Sequence, residues 1–183
     1  MKPQVAILVG KRGRGSNMEA LVRAMQSGQV EAQPLRVIAT DPSSPALVRA
    51  HELGVEALAT QDLVKAVEGA DWLCLAGYLS LLPTQVIDKL GGRILNIHPA
   101  LLPKFGGKGM FGLRVHQAVL AAQESESGCT VHRVSPEYDE GEIVLQMRCL
   151  VFPDDTPETL AARVLKLEHI AYPEALGKVV SVG

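Results

Sequence analysis

The sequence predicts an α/β fold: a mainly parallel, twisted sheet with helices on both faces and an antiparallel hairpin at its C-terminal side. Three observations predict it. Short, wholly apolar runs rich in branched residues recur through the first hundred residues, as strands buried on both faces of a parallel sheet require. Amphipathic segments alternate with them at the spacing of βαβ units, whose crossovers are right-handed. After residue 128, two runs alternate apolar with polar residues instead, the pattern of half-buried antiparallel strands.

VAILVG (5–10) is the first strand, ended by glycine. Ser16 and Glu19 have the S-x-x-E spacing of a capping box, so a helix is expected from Ser16, with Ala20, Leu21, Ala24 and Met25 as its apolar stripe. PLRVIAT (34–40) is the second strand. Ser44-Pro45 opens the next helix, with Leu47, Val48 and Leu53 expected to face inward and Gly54 to stop it. A weaker helix follows over about 61–68. DWLCLAGY (71–78) is the third strand, PTQVIDKL (83–90) a short helix and GRILNIHP (92–99) the fourth strand. KFGGKGMFG (104–112) has four glycines in nine residues and no period, which marks a loop. A helix over about 113–123 should bury Val115, Ala118, Val119 and Ala122. CTVHRVS (129–135) and IVLQMRCLV (143–151) form the hairpin across the acidic turn PEYDEGE (136–142). Asp155-Thr156-Pro157-Glu158 opens a last helix reaching about 178, with Leu160, Val164, Leu167 and Leu176 apolar.

At 183 residues, with no repeat or linker, the chain reads as a single domain over 1–183. Only three Phe, three Tyr and one Trp are present, so a hydrophobic share of 47% must build the core from aliphatic residues. A net charge of −2 leaves no electrostatic footprint for nucleic acid. No apolar run reaches membrane-spanning length and no export signal opens the chain, so a cytoplasmic protein without membrane contact is expected, as monomer or homodimer. Cys74, Cys129 and Cys149 are odd in number and lack CxxC spacing, which fits reduced, packed thiols. His51, His116, His132 and His169 have no zinc-site spacing, so no metal is expected. His51 reads as solvated, His132 as a strand residue, and His116 and His169 as helical. No G-x-S-x-G elbow occurs, and neither Ser16 nor Ser80 has a nucleophile's setting.

Two segments carry chemistry. In ILNIHPALLP (94–103), successive strand side chains point to opposite faces, so Asn96 and His98 share one face, their Cβ atoms about 6.6 Å apart. Pro99 ends the strand, placing the pair at its carboxyl end, where open α/β sheets hold ligands. An amide and an imidazole there can stabilise the oxyanion of a tetrahedral intermediate and move a proton. GKRGRGSN (10–17) joins a strand to a helix start and makes an anion cradle, with Lys11, Arg12 and Arg14 close by. It is neither G-x-G-x-x-G nor a Walker loop. A β-branched residue at Gly15 is expected to weaken phosphate binding more than stability.

Together, VAILVG with GRGSN, LAGYLSLLP, GRILNIHPALLPKFGGKGMFG, VHQAVLAA, ESGCTVHRV, EYDEGEIVLQ and TPETLAARVLKLEHIAYPEAL resemble the phosphoribosylglycinamide formyltransferases over nearly the whole chain. The resemblance implies a Rossmann-like formyltransferase fold and transfer of a formyl group from 10-formyltetrahydrofolate to glycinamide ribonucleotide in purine synthesis. It implies a catalytic trio of Asn96, His98 and Asp139, with no metal. The trio's chemistry would be direct attack by the amine, an oxyanion held by Asn96 and a charged His98, and an Asp139 that raises the His98 pKa. The resemblance also implies ribonucleotide contacts at Gly15, Ser16, Asn17 and Glu168, and folate contacts at Leu79, Ser80, Leu81, Leu82, Asn96, Glu137, Tyr138 and Glu140. Two positions depart from the pattern: Ser80 stands where some members have Arg, and the short 55–70 segment holds no counterpart of an Arg ligand. A methionyl-tRNA formyltransferase would add a basic C-terminal domain and a formyltetrahydrofolate deformylase an N-terminal one. A non-catalytic nucleotide-binding module would have no use for the trio.

Overall fold

The computed structural model describes residues 1–182, which run β1 (Gln4–Val9), α1 (Ser16–Gln26), β2 (Gln33–Ala39), α2 (Pro45–Glu52), β3 (Glu56–Ala59), α3 (Leu63–Ala66), β4 (Trp72–Ala76), α4 (Thr84–Leu90), β5 (Ile94–His98), α5 (Leu113–Ala121), β6 (Glu126–Arg133), β7 (Ile143–Leu150) and α6 (Pro157–Val180). One seven-stranded sheet has the order β3-β2-β1-β4-β5-β6-β7. β1 to β5 pair in parallel, and β6 and β7 add antiparallel at one side.

Alternation along the strands divides the core. Val5, Ile7, Val9, Cys74, Leu95 and Ile97 pack against α1, α2, α5 and α6. Ala6, Leu8, Leu73, Leu75 and Ile94 pack on the opposite face against α3 and α4. Helices therefore cover both faces, as the apolar runs required. α6 is anchored by Tyr172, fully buried, whose hydroxyl lies 2.8 and 3.0 Å from the carbonyl oxygens of Leu75 and Leu95. That hydroxyl joins the last helix to β4 and β5 and so fixes α6 beside the strand that carries Asn96.

Four details differ from the sequence expectations. The segment after Gly54 forms a short edge strand, β3, whose residues are mostly exposed; with no buried face it leaves no apolar signature. Ser16 is not a cap, because Gly15 takes the N-cap position at φ 78° and no side chain bonds the helix start. Glu19, free of the box, pairs instead with Arg23 at 2.7 Å and with Arg49. Val48 is 64% exposed, since α2 turns the small Ala46 and Ala50 to the core and Val48 to the other side. Ala122 falls beyond the end of α5 and is exposed, while His116 takes a buried place beside Val115 and Val119. At α6 the capping is genuine: Thr156 and Thr159 bond each other's backbone N–H at 2.9 and 3.2 Å.

Candidate active site

Asn96 and His98 point to the same side of β5, and His98 is buried at the strand's carboxyl end. Because β6 is antiparallel to β5, the residue facing Asn96 across the ladder is His132. The chain after His98 is pinned by Thr130, whose hydroxyl donates to the Ala100 carbonyl at 2.7 Å and accepts from the Leu102 N–H at 3.1 Å. Gln146 on β7 donates to the Leu102 carbonyl at 2.9 Å. These contacts hold the loop that carries Phe105 and Gly107.

The acidic turn folds back over the strand end and brings in Asp139. It can do so only because Gly141 passes so close to the Arg133 carbonyl that any Cβ would collide with it. Asp139 itself has φ 56°, a conformation uncommon outside glycine. Its Oδ2 accepts the Gly107 N–H at 2.9 Å and lies 3.6 Å from His98 Nδ1, while Oδ1 lies 3.5 Å from His132 Nε2. Asn96, His98, His132 and Asp139 thus form one cluster, in which the two histidines are buried and Asn96 and Asp139 half-buried. His132 entered the sequence reading only as a strand residue.

Hydrogen bonds assign the protons. His98 Nε2 lies 2.7 Å from the Phe105 carbonyl, which only accepts, so Nε2 carries the hydrogen and the neutral ring turns its Nδ1 lone pair toward Asp139. His132 Nδ1 donates to the Arg133 carbonyl at 2.9 Å, and its Nε2 accepts from Asn96 Nδ2 at 3.2 Å. Asn96 keeps a second amide hydrogen free. Burial pulls the His98 pKa below the ordinary imidazole value, and the Asp139 charge and the Phe105 carbonyl oppose this without reversing it. This corrects the expectation of a charged His98: the resting ring is neutral. Burial works to raise the Asp139 carboxyl, but the neighbouring His132 and His98 rings and the Gly107 N–H outweigh it, so Asp139 stays anionic.

The cluster forms one wall of a cavity of about 710 Å³. Leu79, Ser80, Leu81 and Leu82 line it from the loop after β4, and Glu137 and Tyr138 from the acidic turn. Asn17 and Glu168 line it from α1 and α6, with Asn17 Nδ2 donating to Glu168 Oε2 at 2.7 Å. Glu168 is 8% exposed, and burial raises its pKa to about 7 against the Asn17 bond that lowers it. Three residues predicted as ligand contacts do not themselves line this cavity, although Gly15 and Ser16 adjoin Asn17, which does. Gly15 and Ser16 are not part of the wall, and Gly15 is required by its own turn: a Cβ there would lie 2.9 Å from the Ala46 Cβ. Glu140 borders a smaller cavity of about 430 Å³ behind the turn, which Tyr138 and Asp139 also line. Lys11 is drawn to Asp41 at 2.8 Å. Residues that the sequence reading missed, His116, Leu165 and the 107–113 loop, also line the main cavity. Among the described residues no group of three or more His, Cys, Asp or Glu is arranged to hold a metal, and no helix is long and apolar enough to cross a membrane.

The formyl transferase family pattern matches residues 4–176. The chain belongs to the formyl transferase family. Within the family it is 38% identical to the chloroplastic phosphoribosylglycinamide formyltransferase of Arabidopsis thaliana, over 97% of this chain and 65% of that protein. It is 32% identical to the phosphoribosylglycinamide formyltransferase of Haemophilus influenzae, over 93% of this chain and 84% of that one. The chain therefore spans a little under two thirds of the plant relative's length. In three dimensions it superposes on glycinamide ribonucleotide transformylase 1 from Symbiobacterium toebii with a TM-score of 0.91 at 32% identity, covering 99% of this chain and 89% of that one. Asn96, His98 and Asp139 of this family member line a single cavity.

Proposed function

We propose that this chain transfers a formyl group from 10-formyltetrahydrofolate to the amino group of glycinamide ribonucleotide, giving N-formylglycinamide ribonucleotide and tetrahydrofolate in purine synthesis. One observation carries the proposal: an amide, a neutral imidazole and a carboxylate converge at the carboxyl end of β5 in a cavity large enough for two ligands in contact. Family membership and the two formyltransferase relatives support it. The cavity suits an aromatic folate, because Leu79 and Leu81 stand 56% and 50% exposed at its wall and would be covered by a flat ring system.

The side chains divide the work. The substrate amine attacks the formyl carbon, and the carbonyl oxygen becomes negative as the new C–N bond forms. The free amide hydrogen of Asn96 donates to that oxygen; losing such a donor costs about 3 kcal/mol of barrier. His98 cannot help there, since Phe105 holds its only hydrogen. Its Nδ1 lone pair takes the proton that the amine releases, and the imidazolium formed is stabilised by the anionic Asp139, 3.6 Å away. The same proton passes to the folate nitrogen as its C–N bond breaks, which returns His98 to neutral. The formyl group changes partner once and the proton twice, by way of His98. Burial that keeps His98 neutral at rest is thus what allows it to act first as a base.

The test is to mix the purified chain with ribonucleotide and formyl folate, follow the folate absorbance, and identify the product by mass. Formylated ribonucleotide in step with tetrahydrofolate is the expected result. Release of formate with the ribonucleotide unchanged, or ribonucleotide binding without transfer, overturns it.

A further inference from the structure

Among the described residues, four buried side-chain atoms lack a hydrogen-bond partner: Asn17 Oδ1, His116 Nδ1, Ser127 Oγ and His169 Nε2. Buried polar groups are nearly always paired, so a nearly buried polar side chain in a cavity wall whose exposed ring nitrogen has no protein partner is open to a ligand contact. Asn17 and His116 both line the main cavity. Asn17 belongs to the pair with Glu168, whereas no step above uses His116.

His116 is the fourth residue of α5, immediately beyond the glycine-rich loop, and is only 4% exposed. Burial and the nearby His98 both push its pKa down, so the ring is uncharged at neutral pH and does not serve as a cation for phosphate. Its Nδ1 is enclosed without an acceptor, and an N–H stranded there would be costlier than a lone pair, so the hydrogen resides on Nε2, the ring nitrogen left open to the cavity. His116 is therefore a neutral donor flanking the reaction centre. It comes from the side of the sheet that holds α1 and α6, which bring Asn17 and Glu168, and Leu82 of the folate loop packs on the other side.

We propose that His116 positions the ribonucleotide by donating from Nε2 to the carbonyl oxygen of its glycinamide arm, the uncharged acceptor next to the attacking amine. This rests on the function proposed above. The contact forms with substrate and persists through the reaction, so it acts on binding more than on the chemical step.

Three variants test it. In His116→Leu the KM for ribonucleotide should rise about tenfold, with the folate KM and kcat changed by no more than about two- to threefold. Its melting temperature should hold or rise, because an unpaired buried nitrogen has been removed. His116→Gln carries an amide nitrogen near the Nε2 position and should recover most of the affinity. His116→Asn, which mimics Nδ1, should not. An unchanged ribonucleotide KM in His116→Leu, rescue by Asn instead of Gln, a rise confined to folate, or a loss of activity that tracks a lower melting temperature each overturns the proposal. If the unaltered protein transfers no formyl group, the functional reading fails separately, while calorimetric ribonucleotide binding to the same variants still reads the His116 contact.

Discussion

At the β5 end of the cavity the polar groups are already partnered: Asn96 to His132, His98 to Phe105 and Asp139 to Gly107. At the α6 end they are only partly so, although Asn17 Nδ2 donates to Glu168 at 2.7 Å. Asn17 Oδ1 has no partner, and Glu168 is buried far enough that its pKa rises to about 7. The difference matches what each end must meet. A transition-state charge lasts too briefly to organise its own partners, so its donors and bases must be fixed beforehand. A bound substrate stays long enough to supply the missing hydrogen bonds itself, and an incomplete wall discriminates for ligands that carry them. Order at one end and incompleteness at the other are what the proposed transfer between two ligands calls for.

The strongest way to break this comparison is Asp139→Asn. The amide keeps the size but removes the anion that supports a protonated His98. We expect kcat to fall on the order of 10³-fold with KM values little changed, a loss confined to the transition state. Because Asp139 raises the His98 pKa, its removal lets that pKa fall further, so the acid limb of any residual activity should move to lower pH. Steady-state kinetics across pH give both readings. A KM effect as large as the kcat effect would make the acidic turn part of the binding end.

Gly15→Val probes the helix start that the sequence offered as a phosphate cradle. With φ 78° and a Cβ only 2.9 Å from Ala46 and 3.0 Å from Met18 Cε, a valine strains both backbone and packing. About 3 kcal/mol of stability should be lost, or roughly 6–12 °C in melting temperature for a domain of this size. This reverses the expectation from sequence, in which binding would suffer more than stability. Equal affinity losses in Gly15→Val and Gly15→Ala, without thermal loss, would restore the cradle reading.

The two ends were also unequally legible. Asn96 and His98 share a face by strand periodicity alone, and Pro99 locates the strand end, so half of the reaction centre is local information. His132 is not local: it meets Asn96 through the antiparallel register of β5 and β6, which its own alternation does not encode. Asp139 arrives by a turn whose return path depends on Gly141 clearing Arg133, and only family resemblance identified it. The neutral state of His98 follows from burial, a property of the assembled core. The fold was readable wherever a strand is buried on both faces and unreadable at β3, where it is not. S-x-x-E at Ser16 misled because the motif assumes that serine stands outside the helix, and Gly15 occupies that place.

Glu168→Gln sharpens the other end. The folded-state pKa of about 7 exceeds the ordinary 4.5, so between these values the native state holds a proton that the unfolded chain has released. Stability therefore declines as pH rises through that window, and the ionised carboxylate is a burden above pH 7. The glutamine variant lacks this decline. At pH 8 it should be more stable by about 3 kcal/mol, with the advantage shrinking toward pH 4.5, while ribonucleotide affinity falls. Thermal melts at several pH values check the sign; a constant difference across pH would place the Glu168 carboxylate in solvent.

The smallest expected effects belong to Glu140→Gln and Glu142→Gln, and they decide whether Asp139 acts by position or by charge. All three carboxylates occupy one turn within four residues, so a general field from the turn would treat them alike. Their surroundings differ. Glu140 is exposed and borders the smaller cavity behind the turn, and Glu142, with its side chain 76% exposed, meets Arg133 at 3.2 Å on the surface. Exposed pairs of this kind contribute at most about 1 kcal/mol, and charges in solvent are screened before they reach a buried imidazole. Each substitution should change kcat by less than about twofold and stability by about 0.5 kcal/mol or less. If both reduce kcat as Asp139→Asn does, the carboxylate contact at 3.6 Å to His98 is incidental, and the reaction end works through the net charge of the turn.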